Sequence, residues 1–360
     1  MIERWVTHAL PICAYSDEKV AAMGQTALGR FSVMASAQWY VTGKREFGVE
    51  GYRRAAAGFS AADDAISLAG KHAMVTGANS GVGFAAAAGL AKRGATVHMV
   101  CRSAERGEAA RQELLQSVGC DDALLVLHIV DCGLGASLKA FAAAFVAEHG
   151  RLDVLVNNAG GLPKERSLNG EGGEVGMSIA LGGTYLLTGL LLPALVAAAA
   201  ASKQRARVIN VSSGGMYMVK ACPDDLDMAK GSFDGTAQYC RAKRAQQVLT
   251  ERWAARLAAA DVPVDVHCMH PGWSATPGVK SSIGEFYAKN EETFRDQEQG
   301  ADTMVWLAAA PAVEGRGGLF WLDRTEKPAH MRASWTRSSP AEVDELWEAC
   351  AAKFDWQYEG

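Results

Sequence analysis

The chain has 360 residues, 49% of them hydrophobic and 21% charged, an ordinary globular composition long enough to bury a large core. A formal net charge of −4 gives no basic footprint, which argues against nucleic acid as a partner. Eight cysteines, at 13, 101, 120, 132, 222, 240, 268 and 350, form no CxxC pair and show no zinc-ligand spacing, so the sequence predicts no metal and reduced thiols in an intracellular compartment.

Residues 1–65 show no strand pattern and read as a helical N-terminal extension. Glu3, Asp17 and Glu18 argue against a transit peptide, and no signal-peptide pattern is evident. Phe31, Met34, Trp39, Tyr40, Val41 and Phe47 lie near Arg30, Lys44 and Arg45. Such a segment (residues 30–47) either lies on a membrane surface or packs on the domain. No apolar run reaches the length of a membrane span. The expected location is cytoplasmic, or peripheral on a membrane, and a homo-oligomer is left open.

From about residue 70 to 325 the pattern changes. Strand-like runs at His72 to Val75, Thr96 to Cys101, Leu124 to Val130, Val154 to Val156, Val208 to Val211, Val264 to Met269 and Gly318 to Leu322 alternate with helical stretches. Continuous apolar strands separated by helices predict an α/β, Rossmann-type doubly wound parallel sheet of about seven strands, covered on both faces. The helices read as Phe84 to Arg93, Ser103 to Gln116, Ser137 to Glu148, Met177 to Ala201 and Ala237 to Ala260. Loops are expected at Gly161 to Gly176, Gly214 to Gly235 and Pro271 to Gly300, all after strand carboxyl ends, where open α/β sheets bind ligands. A tail, 326–360, carries a helix from Ala341 to Lys353 behind a Ser-Ser-Pro start.

The first strand runs directly into Thr76-Gly77-Ala78-Asn79-Ser80-Gly81-Val82-Gly83. Glycines at 77, 81 and 83 permit a tight turn and close approach to a pyrophosphate, and the following helix start offers unpaired N–H groups. The second strand ends in Arg102, where an NAD-binding unit carries an acid for the ribose 2′-hydroxyl. A guanidinium there matches a 2′-phosphate, so NADP(H) is the expected cofactor, with Ser80 a second phosphate contact.

Tyr239 and Lys243 lie four apart and so share one helix face. Carbonyl reduction needs a hydride and a proton, and a lysine cation beside a tyrosine favours the phenolate. The same Tyr-x-x-x-Lys spacing occurs at Tyr15/Lys19 and Tyr40/Lys44. Only the third follows a serine-bearing strand and opens a predicted helix.

The Thr-Gly-xxx-Gly-x-Gly spacing, the VNNAG run ending in Asn158-Ala159-Gly160, VSSG with Ser213, and the Tyr239/Lys243 pair resemble the short-chain dehydrogenase/reductase superfamily. That resemblance covers residues 70 to about 325. It implies catalytic roles for Ser213, Tyr239 and Lys243, with Asp131 at the adenine ring. It also implies cofactor contacts at Thr76, Gly77, Ser80, Gly81, Val82, Gly83, Asn158, Ala159, Gly160, Pro271, Gly272 and Thr276, with Lys243 on the nicotinamide ribose. Trp273 and the aromatics after it either line an apolar pocket or pack internally. The implied activity interconverts a carbonyl and an alcohol on a lipophilic substrate. One departure is Ala180, where the family carries an asparagine that helps hold a relay water. Thr184, one turn on, offers a hydroxyl instead. The alternative reading is a catalytically weak NADP(H)-binding protein for sensing or assembly.

Overall fold

The computed structural model describes residues 27–359 apart from Pro163 and Ala333, with side chains from Ala35 onward. The Tyr15/Lys19 pair and the side chains of Arg30, Phe31 and Met34 therefore lie outside the described residues. Helix α1 (Ala27–Thr42) continues through a π-turn, Gly43–Phe47, to α2 (Val49–Ala56) and a short α3 (Ala61–Asp64).

Eight strands form one sheet: β1 (His72–Thr76), β2 (Thr96–Cys101), β3 (Leu125–Ile129), β4 (Val154–Asn157), β5 (Ala206–Val211), β6 (Val264–Met269), β7 (Phe320–Leu322) and β8 (Thr325–Lys327). Their order is β3-β2-β1-β4-β5-β6-β7-β8, parallel except for the β7–β8 hairpin. The chain leaves β3 at one edge and re-enters at β4 beside β1, so a crevice opens at the carboxyl ends of β1 and β4.

The eighth strand departs from the expected seven. Thr325–Lys327 is short, polar and at the edge, without the apolar pattern that marks the others. It forms because Asp323 and Arg324 both take left-handed backbone angles, φ 52° and 56°, as a two-residue hairpin turn requires.

Helices cover both faces. On one face lie α4 (Gly81–Lys92), α5 (Ala104–Val118) and α12 (Gln297–Ala309), packed on Val75, Val97 and Ile209. The other face carries α6 (Gly135–His149), α7 (Val175–Leu181), α8 (Leu192–Ser202), α9 (Gly235–Ala259) and α13 (Pro340–Phe354). Helix α13 starts with a capping box between Ser339 and Glu342 and seats Trp347 4.8 Å from Trp253 and 4.9 Å from Tyr185.

Two sequence expectations need correction. The single helix expected from Met177 to Ala201 is broken: a π-turn at Gly182–Leu187 follows α7, and α8 is bent away by 55°. Pro193 has no N–H to continue the ladder, and the Thr188 hydroxyl donates to the Gly183 carbonyl at 3.1 Å, filling the widened turn. The stretch Pro271 to Gly300 is not one loop but holds α10 (Pro277–Ser282), α11 (Gly284–Asn290) and the start of α12. Thr276 and Asp296 cap two of these helices through their side chains. No single described helix is long and apolar enough to cross a membrane.

His267 and His270 flank the end of β6, and the ring nitrogens of both are buried without protein partners. Burial, with Arg207 beside His267 and Arg295 beside His270, pushes each imidazole down to about 3. Both are neutral in the folded chain, so below about pH 6.5 the unfolded chain binds more protons. Stability is full above that pH and falls as the pH drops toward 3. Urea unfolding should lose roughly 1 kcal/mol per histidine per pH unit below about 6.5. A His267→Leu variant should show the shallower slope. An identical slope in variant and wild type would remove His267 from the acid response.

Candidate active site

The glycine loop follows β1 because the strand must end where the chain turns into α4. Ser80 is extended and makes no side-chain cap, so the first N–H groups of α4 carry no capping oxygen. They border a cavity of about 330 Å³ lined by Gly77, Ser80, Gly81, Val82 and Gly83. A Cβ on Gly83 would overlap the Asn158 amide and the Gly77 carbonyl, which explains why only glycine closes this loop. Asn158, Ala159, Gly160, Pro271, Gly272 and Thr276 line the same cavity.

Thr76 takes a different place from the one its motif position suggests. It is 1% exposed, and its hydroxyl oxygen accepts from the N–H groups of Asn158 (3.0 Å) and Ala159 (2.9 Å). The Asn158 amide returns a hydrogen bond to the Thr76 carbonyl at 2.9 Å. Thr76 thus ties the β4 loop to the glycine loop and does not face the cavity.

A second cavity, about 400 Å³, is lined by Arg102, Arg106, Asp131 and Asn79 and shares Gly77, Ala159 and Gly160 with the first. Together they make one bent cleft across the carboxyl ends of β1, β2 and β4. The uncapped helix start, the glycine cradle and two guanidiniums at one end fit a phosphorylated dinucleotide. Arg106 and Asn79 were not singled out by the sequence. Arg106 reads in the sequence as a solvated helix residue; the fold brings the start of α5 to the edge of the cavity.

Ser213, Tyr239 and Lys243 line the other end of the cleft. Ser213 follows β5, its oxygen accepting from the Gly215 N–H at 3.2 Å. Asp234 caps α9 through the Ala237 N–H (2.9 Å), which places Tyr239 and Lys243 on successive turns near the helix start. Lys243 is 6% exposed, and its ammonium donates to the Val211 carbonyl (2.7 Å) and Gln246 Oε1 (3.0 Å). The ammonium lies 5.5 Å from the centroid of the Tyr239 ring.

Burial dominates the electrostatics of the pair. Burial pushes the Tyr239 phenol up to about 12, and a hydrogen bond with Ser213 pulls only partly back. Burial also lowers Lys243 to about 8. Desolvation is the dominant influence on the phenol and favours its protonated form.

Ala180 lies in the buried core with no polar atom to offer the cleft. Thr184 Oγ1 accepts from Gln246 Nε2 at 3.0 Å, and Gln246 in turn holds Lys243. Gln246, unmarked in the sequence, is thus the link between Thr184 and the lysine.

The N-terminal segment completes the cleft. Trp39 lines it beside Trp273, Phe286 and Phe294, with Trp39 and Trp273 rings 5.9 Å apart. Trp39 donates to the Gly214 carbonyl (2.7 Å), Trp273 N–H donates to the Phe47 carbonyl (2.7 Å), and Phe47 packs edge-on to His270 at 4.6 Å. A Cβ on Gly43 would sit 2.5 Å from the Trp273 ring, so glycine is needed for this approach. Arg295, 1% exposed, pairs with Asp323 at 2.6 Å and donates to the carbonyls of Glu46 (3.1 Å) and Gly48 (3.2 Å). Of the residues 30–47 considered for membrane contact, Trp39 and Phe47 are therefore buried against the domain. Val41, 61% exposed, is not. Tyr40 and Lys44 form a contact within this segment, 5.8 Å from ring centroid to ammonium, and do not line the cleft.

Comparison with known proteins agrees with this geometry. A family model described as short chain dehydrogenase matches residues 71–285. The chain is 42% identical to dehydrogenase/reductase SDR family member 12 of Bos taurus over 87% of this chain and 95% of that protein. It is 33% identical to human retinol dehydrogenase 12, over 72% of this chain and 79% of that one. The crystal structure of an uncharacterized protein from Mycobacterium Paratuberculosis superposes with a TM-score of 0.64 at 26% identity, covering 83% and 98% of the two chains. The chain belongs to the short-chain dehydrogenase family, whose members are oxidoreductases that use a nicotinamide cofactor.

Proposed function

We propose that this protein is an NADP(H)-dependent reductase of lipophilic carbonyls, with Tyr239 as proton donor. The carrying observation is the grouping of Ser213, Tyr239 and Lys243 at the end of a dinucleotide-shaped cleft, with the Lys243 ammonium 5.5 Å from the Tyr239 ring centroid. When bound, the nicotinamide supplies hydride to the carbonyl carbon. Tyr239 gives its proton to the carbonyl oxygen, and the Ser213 hydroxyl holds that oxygen in line. Lys243 stabilises the phenolate left behind. Gln246 and Thr184 keep the lysine in place, and an amide in that chain positions the ammonium without passing a proton.

Cofactor choice follows from the far end of the cleft. Arg102 and Arg106 border it together, and among the described residues that line this end Asp131 is the one acid. The Asp131 carboxylate already accepts from the Gly133 N–H at 2.9 Å. A charge-assisted contact to a 2′-phosphate corresponds to about 10–100-fold in affinity. Arg102→Asp should reverse the preference, read by calorimetric titration with NADPH and NADH. Equal wild-type affinity for the two would contradict NADP(H) selectivity.

Beside Tyr239 the substrate end carries four further aromatic side chains, and among the described residues lining the cavity Lys243 is the one cation. A flat, apolar carbonyl fits such walls. Following NADPH absorbance with benzaldehyde, 2-naphthaldehyde, a steroid ketone and retinal tests the reading; no turnover with any of them would count against it. Trp39→Ala should raise KM for the ring substrates by about tenfold, leave NADPH affinity unchanged and alter kcat little. An unchanged KM would show that the N-terminal segment is a scaffold only.

A further inference from the structure

The sequence spacing hides a histidine cluster that the fold assembles outside the lining of the catalytic cleft. His98 comes from β2, His128 from β3 and His149 from the last turn of α6. One ring nitrogen from each lies within 4.8 Å of the others. His98 Nδ1 and His128 Nε2 are 2.9 Å apart. Tetrahedral coordination with metal–nitrogen bonds of about 2.0–2.1 Å needs ligand nitrogens about 3.3–3.4 Å apart. Small ring movements about an ion therefore satisfy all three.

Two further observations point to a ligand. The other nitrogen of His98, Nε2, lies 3.1 Å from His72 Nδ1, with the two rings stacked at 5.4 Å. A ligating histidine ordinarily fixes its tautomer by donating its remaining N–H in this way. Exposure also rises outward: His98 is wholly buried, while His128 and His149 are half-buried and open to solvent. Phe141 and Phe145 wall the inner side. The nearby carboxylate is Glu148, whose Oε1 lies 3.9 Å from His149 Nε2.

We infer that His98, His128 and His149 form a structural site for one divalent transition ion of the zinc type, with Glu148 or water in the fourth position. An all-imidazole set selects zinc, cobalt, nickel or copper over magnesium or calcium. His149 ends a helix that returns to the amino end of β4, whereas the cofactor cleft lies at the strand carboxyl ends. The ion would thus staple β2, β3 and α6 without touching the reaction.

The test uses the full chain carrying no polyhistidine tag, titrated with Co²⁺ and then Zn²⁺. Expected are one equivalent of Co²⁺ with the visible absorption of a four-coordinate site, its displacement by Zn²⁺, and a raised melting temperature with Zn²⁺. His128→Gln and His149→Gln should each weaken binding about tenfold or more with catalytic turnover unchanged. Both side chains are half-buried at the surface, and circular dichroism verifies that the variants fold. Absence of saturable Co²⁺ uptake by the wild type would overturn the site, leaving a hydrogen-bonded stack of neutral imidazoles. So would a thiolate charge-transfer band, which would place the ion on cysteine instead. Undiminished binding by both variants would overturn it equally.

Discussion

A lysine ammonium held almost out of water is the constraint on which the catalytic end of the cleft depends. Among the described residues Lys243 has no carboxylate partner; two neutral oxygens, on Val211 and Gln246, accept its hydrogen bonds. Burying a charge this way is costly unless every hydrogen bond is in place. The end of β5, the third turn of α9 and the π-turn that presents Thr184 must therefore all hold their positions. Within the broken helix, Gly182 and Gly183 allow close approach to Cys132 and Asn157. Thr184 reaches Gln246 while Ala180 stays in the core.

A second knot ties the substrate end together. Arg295 reaches the β7–β8 turn through Asp323 and the N-terminal segment through Glu46 and Gly48. A buried ion pair of this kind contributes positional definition more than net stability. Its effect here is to bring Trp39 and Phe47 against the cleft wall. A segment outside the matched family region thereby shapes the cavity of the family domain.

Much of this was legible in the sequence, for reasons that differ by element. The inner parallel strands announce themselves because both faces are buried, so their residues are mostly apolar without alternation. The glycine loop and the Tyr239/Lys243 spacing are legible because backbone approach and helix geometry restrict the residues allowed. β8 was not legible, since three polar residues pair only because a preceding turn folds them back. Gln246 and Arg106 were not, because their roles arise from neighbours brought up by tertiary packing. Thr76 was misplaced because a motif position records that a residue matters, not which way its hydroxyl points. Spacing reports the cation near the phenol, while desolvation, the larger effect on it, is visible only in the folded chain.

The central claim is that the proton comes from Tyr239. Its most direct test is the Tyr239→Phe variant, measured for NADPH binding and for turnover of the best carbonyl substrate. The account predicts nearly unchanged NADPH affinity and turnover reduced by about 10²–10⁴-fold, the usual effect of losing a general acid. Wild-type turnover in the variant would contradict the account and place the proton source elsewhere.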